Sequence, residues 1–147
     1  MAEVPAMVAR ALEERQASHR ARQLLQEQLA EVEALMLLAT ETRASKPGEP
    51  HIVRRVFEEA DADYLRLLAS KLVAEPGVQV LLGSRAGGHV VFAQSAGLPT
   101  DMNALLGEAA QAAGGKGGGT RDFAQGRVPD VGALEAILHR ASERLPG

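Results

Sequence analysis

The sequence predicts an α/β protein: a long N-terminal helix followed by a β-α-β-β-α-β-α unit built on a mixed sheet. Three observations carry that reading. No glycine, and no proline after Pro5, interrupts the chain before Pro47. Beyond Pro50, segments with strand-like alternation take turns with segments of helical apolar spacing, the pattern of an α/β layer structure. Each change of periodicity coincides with Gly, Pro or Asp, the residues that punctuate local structure.

The first element spans about Val4 to Thr42, where Ala, Leu, Glu, Gln and Arg dominate, all strong helix formers. Pro5 suits a first helical turn, where its missing N–H needs no partner. Unbroken, this helix is roughly 55–60 Å long. Leu25, Leu29, Val32, Met36 and Ala39 follow one another by steps of four and three, a heptad seam. Val4, Val8, Ala11 and Leu12 form a shorter stripe. Between the stripes lies a polar stretch with Arg15, His19, Arg20 and Arg22, readable as a solvated face or as a contact to RNA phosphates. Ala44 to Pro50 reads as a linker. The expected division is therefore a helical connector over 1–43, a linker over 44–50 and an α/β domain over 51–147.

His51 to Glu58 alternates and is rich in β-branched residues, which predicts the first strand. Asp61 is a plausible N-cap for a helix whose apolar positions are Tyr64, Leu65, Leu67, Leu68, Leu72 and Val73. Pro76-Gly77 stops it. Val78–Gly83 and His89–Ala93 predict a hairpin turning at Gly87-Gly88. Pro99-Thr100-Asp101 opens a helix from about Met102 to Ala113. After a glycine run, a short strand is expected near Phe123 to Gln125. Pro129-Asp130 introduces the last helix, Val131 to about Arg144.

Composition limits function. Of 147 residues, 46% are hydrophobic, enough for a packed core, but only Phe57, Tyr64, Phe92 and Phe123 are aromatic. The core must be aliphatic, and no platform for stacking unpaired bases is evident. A formal charge of −3 lacks the global signature of a nucleic-acid binder, so any such contact must be local. The absence of cysteine excludes disulfides, thiolate metal sites and thiol nucleophiles. No apolar run approaches the length of a membrane span, and the opening Met1-Ala2-Glu3-Val4-Pro5 lacks the basic and apolar regions of a secretory signal. A cytoplasmic protein without membrane contact is expected, with no cofactor and no metal.

The sharpest local feature is Gly114-Gly115-Lys116-Gly117-Gly118-Gly119, five glycines in six residues. A flexible linker is one reading. The other is a backbone nest whose converging N–H groups meet an anion, with Lys116 adding charge. It is not a phosphate-binding P-loop, which needs Gly-Lys-Ser/Thr at a helix start. Nor does it open a helix as the dinucleotide fingerprint does. Glu58, Glu59, Asp61 and Asp63 cluster, but helix capping explains them without a metal.

The stretch from Gly114 to Gly126 resembles the C-terminal signature of alanyl-tRNA synthetases, a glycine run followed by Arg-Pro-Asp-Met-Ala-Gln and more glycine. Asp122, Ala124 and Gln125 line up. Phe123 stands for the usual methionine, Thr120-Arg121 replaces Arg-Pro, and Arg127-Val128 departs from the glycines usual there. The family is the DHH-associated domain, found in alanyl-tRNA synthetases, long alanyl-tRNA editing proteins and DHH phosphoesterases; the likeness covers roughly 51–145.

The resemblance implies a non-catalytic module that grips tRNA, with alanine tRNA the expected species, beside a linked editing or catalytic domain. The residues it implicates are Gly114, Gly115, Lys116, Gly117, Gly118, Gly119, Thr120, Arg121 and Gln125. Lys116 and Arg121 would be phosphate-directed, Thr120 and Gln125 hydrogen-bonding, and Arg54, Arg55 and Arg85 could extend the patch. The editing zinc site implied by the family needs an HxxxH pair with a further Cys and His; His19, His51, His89 and His139 do not have that spacing. Two alternatives stand beside this reading. One is the substrate-binding half of a phosphoesterase acting on short nucleotides, in which Thr120 occupies the place of the usual histidine. The other is a homodimerisation domain using the heptad seam, although that seam could equally pack within the chain.

Overall fold

The computed structural model describes residues 6–40 and 50–145. Helix α1 (Ala6–Thr40) precedes β1 (His51–Phe57), α2 (Ala62–Val73), β2 (Val78–Ser84), β3 (His89–Gln94), α3 (Met102–Ala112), β4 (Lys116–Gly119), β5 (Phe123–Arg127), a 3-10 turn (Val131–Ala133) and α4 (Leu134–Glu143). The expected α/β class and long helix are both present. The expected helix start at Val4-Pro5 and the linker from Ala44 onward lie outside the described residues, apart from Pro50.

The five strands are ordered β1-β2-β3-β5-β4. β1 pairs with β2 in parallel, as the intervening α2 requires, and every other pairing is antiparallel. β4 is one strand more than the sequence predicts. Lys116–Gly119 pairs with Ala124–Arg127, so the glycine run is an edge strand rather than a free nest. Glycine is depleted in strands and has no side chain to alternate, so the run carries no strand signal of its own.

Period-two alternation divides the sheet into two cores. Leu81, Val90, Phe92 and Ala124 face α3 and α4; Val53, Val80, Leu82, Val91 and Ala93 face α2 and the last turns of α1. β2 is buried along its whole length, as expected of a strand covered on both faces. α2 and α3 begin where the sequence places them: Asp61 Oδ1 accepts from the Tyr64 amide at 2.7 Å and Asp101 Oδ1 from the Ala104 amide at 3.2 Å. The last helix starts later than expected, at Leu134, because Val131–Ala133 forms a 3-10 turn capped by Asp130.

α1 has two unlike halves. From Ala6 to Leu25 every side chain is exposed. Further along, Ala30, Ala34 and Leu37 are buried in the core shared with α2. Two polar ties reinforce that contact. Lys71 Nζ donates to Glu31 at 3.2 Å, and the Tyr64 hydroxyl donates to Glu33. Burial first, and then the Glu33 carboxylate, push the Tyr64 phenol well above its ordinary value, so it stays a donor. The heptad seam is not packed in either core formed by the described residues. Leu25, Leu29, Val32 and Met36 lie on the opposite side of α1 and are 55–64% exposed.

This division gives a stability contrast. Leu37→Ala removes buried volume and should cost about 2–5 kcal/mol in urea unfolding. Leu24→Ala, exposed and off the seam, should change stability by no more than about 0.5 kcal/mol. Equal effects would contradict the packing of α1 on α2.

Candidate nucleic-acid interface

The sequence motif folds into a hairpin. Beyond the end of α3, Gly114, with φ of 77°, reverses the chain, and the Gly115 amide returns to the Ala110 carbonyl at 2.7 Å. β4 and β5 follow, joined by a turn in which the Thr120 amide donates to the Phe123 carbonyl at 2.8 Å. α3 crosses this hairpin very closely. A Cβ on Gly117 would sit 2.1 Å from Leu106 Cδ2 and 3.0 Å from the Gln125 carbonyl oxygen, so the buried Leu106 side chain would have to move to admit one. Gly118 points to the other face, where a Cβ would meet nothing nearer than Asn103 Oδ1 at 3.8 Å. Part of the glycine run therefore serves packing, and part leaves an open backbone.

The hairpin separates the expected site residues. Lys116 begins β4, and Thr120 and Arg121 lie beyond its other end, on the order of 10 Å away. Thr120 is engaged in the turn, its hydroxyl within 3.2 Å of the Phe123 amide. Arg121 is exposed, yet its guanidinium donates to the carbonyls of Leu98 at 3.3 Å and Pro99 at 3.0 Å. The same corner is tied by buried Gln94, whose amide donates to Thr100 O at 2.5 Å and to Asp122 Oδ1 at 2.9 Å. Lys116 is exposed and has no hydrogen-bond or ion-pair partner among the described residues. Gln125 Oε1 accepts from Arg66 at 2.9 Å, and its side-chain NH2 has no hydrogen-bond partner among the described residues.

The arginines expected to extend the patch do not reach it. Arg54 and Arg55 lie on β1, at the opposite edge of the sheet from β4, four strand spacings or about 19 Å away. Arg54 donates to Ser142 at 3.1 Å and lies 2.8 Å from His139 Nδ1. Arg55 stacks over Phe57 at 5.5 Å. Arg85 is held between Glu58 at 3.2 Å and Glu135 at 2.9 Å. Their places are taken by three residues that sequence reasoning did not single out: Arg66 of α2, His89 of β3 and Arg127 of β5. They border the same open groove as Lys116 and Gln125, about 460 Å³ in volume. Register is what joins them, since His89 lies opposite Arg127 and Arg127 opposite Lys116. The one signal in the sequence was that Arg127 replaces a glycine of the motif. Among the described residues no group of acidic or imidazole side chains could hold a metal ion. No described helix is long and apolar enough to cross a membrane.

The sequence matches the DHHA1 domain over residues 48–146. The chain belongs to that family. Its DHHA1 domain and α1 together are 37% identical over 143 residues to the alanine–tRNA ligase of Natronomonas pharaonis, covering 97% of this chain and 15% of the ligase. The corresponding figure for the Methanothrix thermoacetophila enzyme is 34% over 113 residues, 74% of this chain and 12% of the ligase. The chain thus spans a small fraction of these relatives. Among solved structures, the C-Ala domain of Aquifex aeolicus alanyl-tRNA synthetase matches with a TM-score of 0.51 and 29% identity, over 65% of this chain and 97% of that one. RecJ from Thermus thermophilus, in complex with Mn2+, shares the fold over 98% of this chain and 20% of its own, with a TM-score of 0.67 at 20% identity.

The two faces of β4 should respond differently to substitution. Gly117→Ala should destabilise the DHHA1 domain by about 1–3 kcal/mol through the clash with Leu106. Gly118→Ala should fold with a stability within about 0.5 kcal/mol of the parent. Thermal unfolding of the pair checks this; an unaffected Gly117 variant would refute the close approach of α3.

Proposed function

We propose that this chain is a non-catalytic nucleic-acid-binding module of an alanyl-tRNA synthetase or alanyl-tRNA editing protein. It grips tRNA, with alanine tRNA the expected species, through the β4–β5 hairpin and so holds the substrate near a linked catalytic domain. The observation that carries this reading is Lys116, an exposed cation without a partner among the described residues, beside an edge strand bare of side chains on the family's glycine motif. Such a strand lets a phosphate–ribose chain approach the backbone closely, and Lys116 supplies the opposite charge. Gly114, Gly115, Gly117 and Gly119 shape the hairpin, Gly118 leaves its open face bare, and Thr120, Arg121 and Gln125 supply donors around it.

The test is titration of the full chain with an alanine-tRNA transcript at two salt concentrations, beside Lys116→Ala/Arg121→Ala. Binding should weaken as salt rises. The double variant should bind more weakly, and the slope of log K against log salt should fall by roughly 0.9 for each phosphate that is no longer neutralised. No binding at low salt would sink the proposal.

A second role is supported by a separate observation. The seam at Leu25, Leu29 and Val32 is apolar, heptad-spaced and exposed. A row of this kind is covered when two helices pair as a coiled coil, so we assign it to homodimerisation. Light scattering should give twice the chain mass for the parent and the single mass for Leu25→Glu/Leu29→Glu; a monomeric parent would end this assignment.

A further inference from the structure

We propose that the open face of β3, β5 and β4 is a phosphate site in its own right, built on Arg127 with Lys116, Arg66 and His89, and distinct from the Thr120–Arg121 end of the hairpin. It rests on the tRNA reading only for the source of the phosphate. The argument starts from a cost. Lys116 and Arg127 are direct cross-strand neighbours, and like charges so placed destabilise a sheet. His89 lies opposite Arg127 on its other side. The row His89–Arg127–Lys116 therefore crosses three strands at spacings of about 5 Å. A carboxylate between them would relieve the repulsion, yet among the described residues none lines the groove. Arg127 is instead braced by one neutral contact, its Nε donating to the Gly87 carbonyl at 2.7 Å. That contact fixes the plane of the guanidinium and leaves its terminal nitrogens to the groove.

From the facing helix, Arg66 reaches in and orients the Gln125 amide at 2.9 Å; its Asp63 partner sits on its own helix. The result is one concave surface with two cations that have no carboxylate partner among the described residues, Lys116 and Arg127, bordered by the ion-paired Arg66, an imidazole and a carboxamide. The Arg127 guanidinium, with its terminal nitrogens uncommitted, and the Lys116 ammonium beside it suit the oxyanions of phosphate, while Arg66 holds Gln125 at the rim. The groove, of about 460 Å³, is open along the sheet, as a chain of phosphodiesters needs. Packing does not demand Arg127, since its neighbour on β4 is exposed and its own side chain is exposed.

Backbone-amide NMR of the full chain tests this with two probes, inorganic phosphate and an alanine-tRNA transcript. Millimolar phosphate should shift the amides of Gly117, Gly126 and Arg127, and the shifts should disappear in Arg127→Gln and shrink in Arg66→Gln. Absent shifts, or equal shifts in Arg127→Gln, overturn the site. With tRNA, Arg127→Gln should lower the salt slope by roughly 0.9, which places an RNA phosphate in the groove. Intact tRNA binding with an unchanged slope would assign the groove to a small phosphate ligand and leave the hairpin reading standing. If tRNA does not bind at all, the hairpin reading fails while the phosphate arm still decides the groove.

Discussion

The tight approach of Leu106 of α3 to the backbone of Gly117 and Gly126 governs the arrangement of the candidate site. A Cβ at either glycine would lie within 3.0 Å of Leu106 Cδ2. With hydrogen alone at both positions, α3 beds directly on the hairpin and the core closes through Met102, Leu105, Leu106 and Ala110. β4 is thereby pinned at the sheet edge although none of its residues is buried. A strand of one lysine and three glycines has almost no propensity of its own. It exists because α3 holds it on one side and β5 pairs with it on the other. Lys116 thus stands on a fixed strand, at a set register from Arg127.

The rest of the fold was legible to the extent that it rests on side-chain pattern. β1, α2, β2, β3, α3 and α4 follow from alternation, helical spacing and the caps Asp61 and Asp101, since each buries a face that its own residues declare. β4 was not legible because its residues declare no face. The site was legible in its motif residues and not in its neighbours. Arg66, His89 and Arg127 lie on three different elements, and only strand register and the placement of α2 bring them together. Arg54, Arg55 and Arg85 show the converse. They are cations close in sequence to predicted strands, yet the strand order puts two of them on the far edge and the third between two carboxylates.

α1 shows how one helix can carry two separate instructions. Its buried face at the C-terminal end is made of Leu37 with Ala30 and Ala34, the two alanines small enough to let α1 lie close to α2. Most of its larger apolar residues, among them Leu25, Leu29, Val32 and Met36, are exposed. A reading from hydrophobicity alone would assign the core to the larger side chains. Close packing between helices is instead set by the small ones, and the heptad row remains for contact beyond the described fold.

Net charge and local charge part company in this protein, and the ion pairs explain how. Carboxylates are tied down across helices and strand ends: Glu58 and Glu135 on Arg85, Glu31 on Lys71, Glu108 on Arg144. Asp61, Asp101 and Asp130 accept backbone amides at helix starts. The excess of acid is thus spread over helix surfaces and caps. On the open sheet face, by contrast, Lys116 has no carboxylate partner among the described residues and Arg127 only a carbonyl. Over the Debye length of about 8 Å at physiological ionic strength, an approaching phosphate responds to that face and little to the chain's formal charge of −3. A weakly acidic domain can therefore present a basic surface, provided that its acids are bound to its own architecture and its free cations are gathered by strand register.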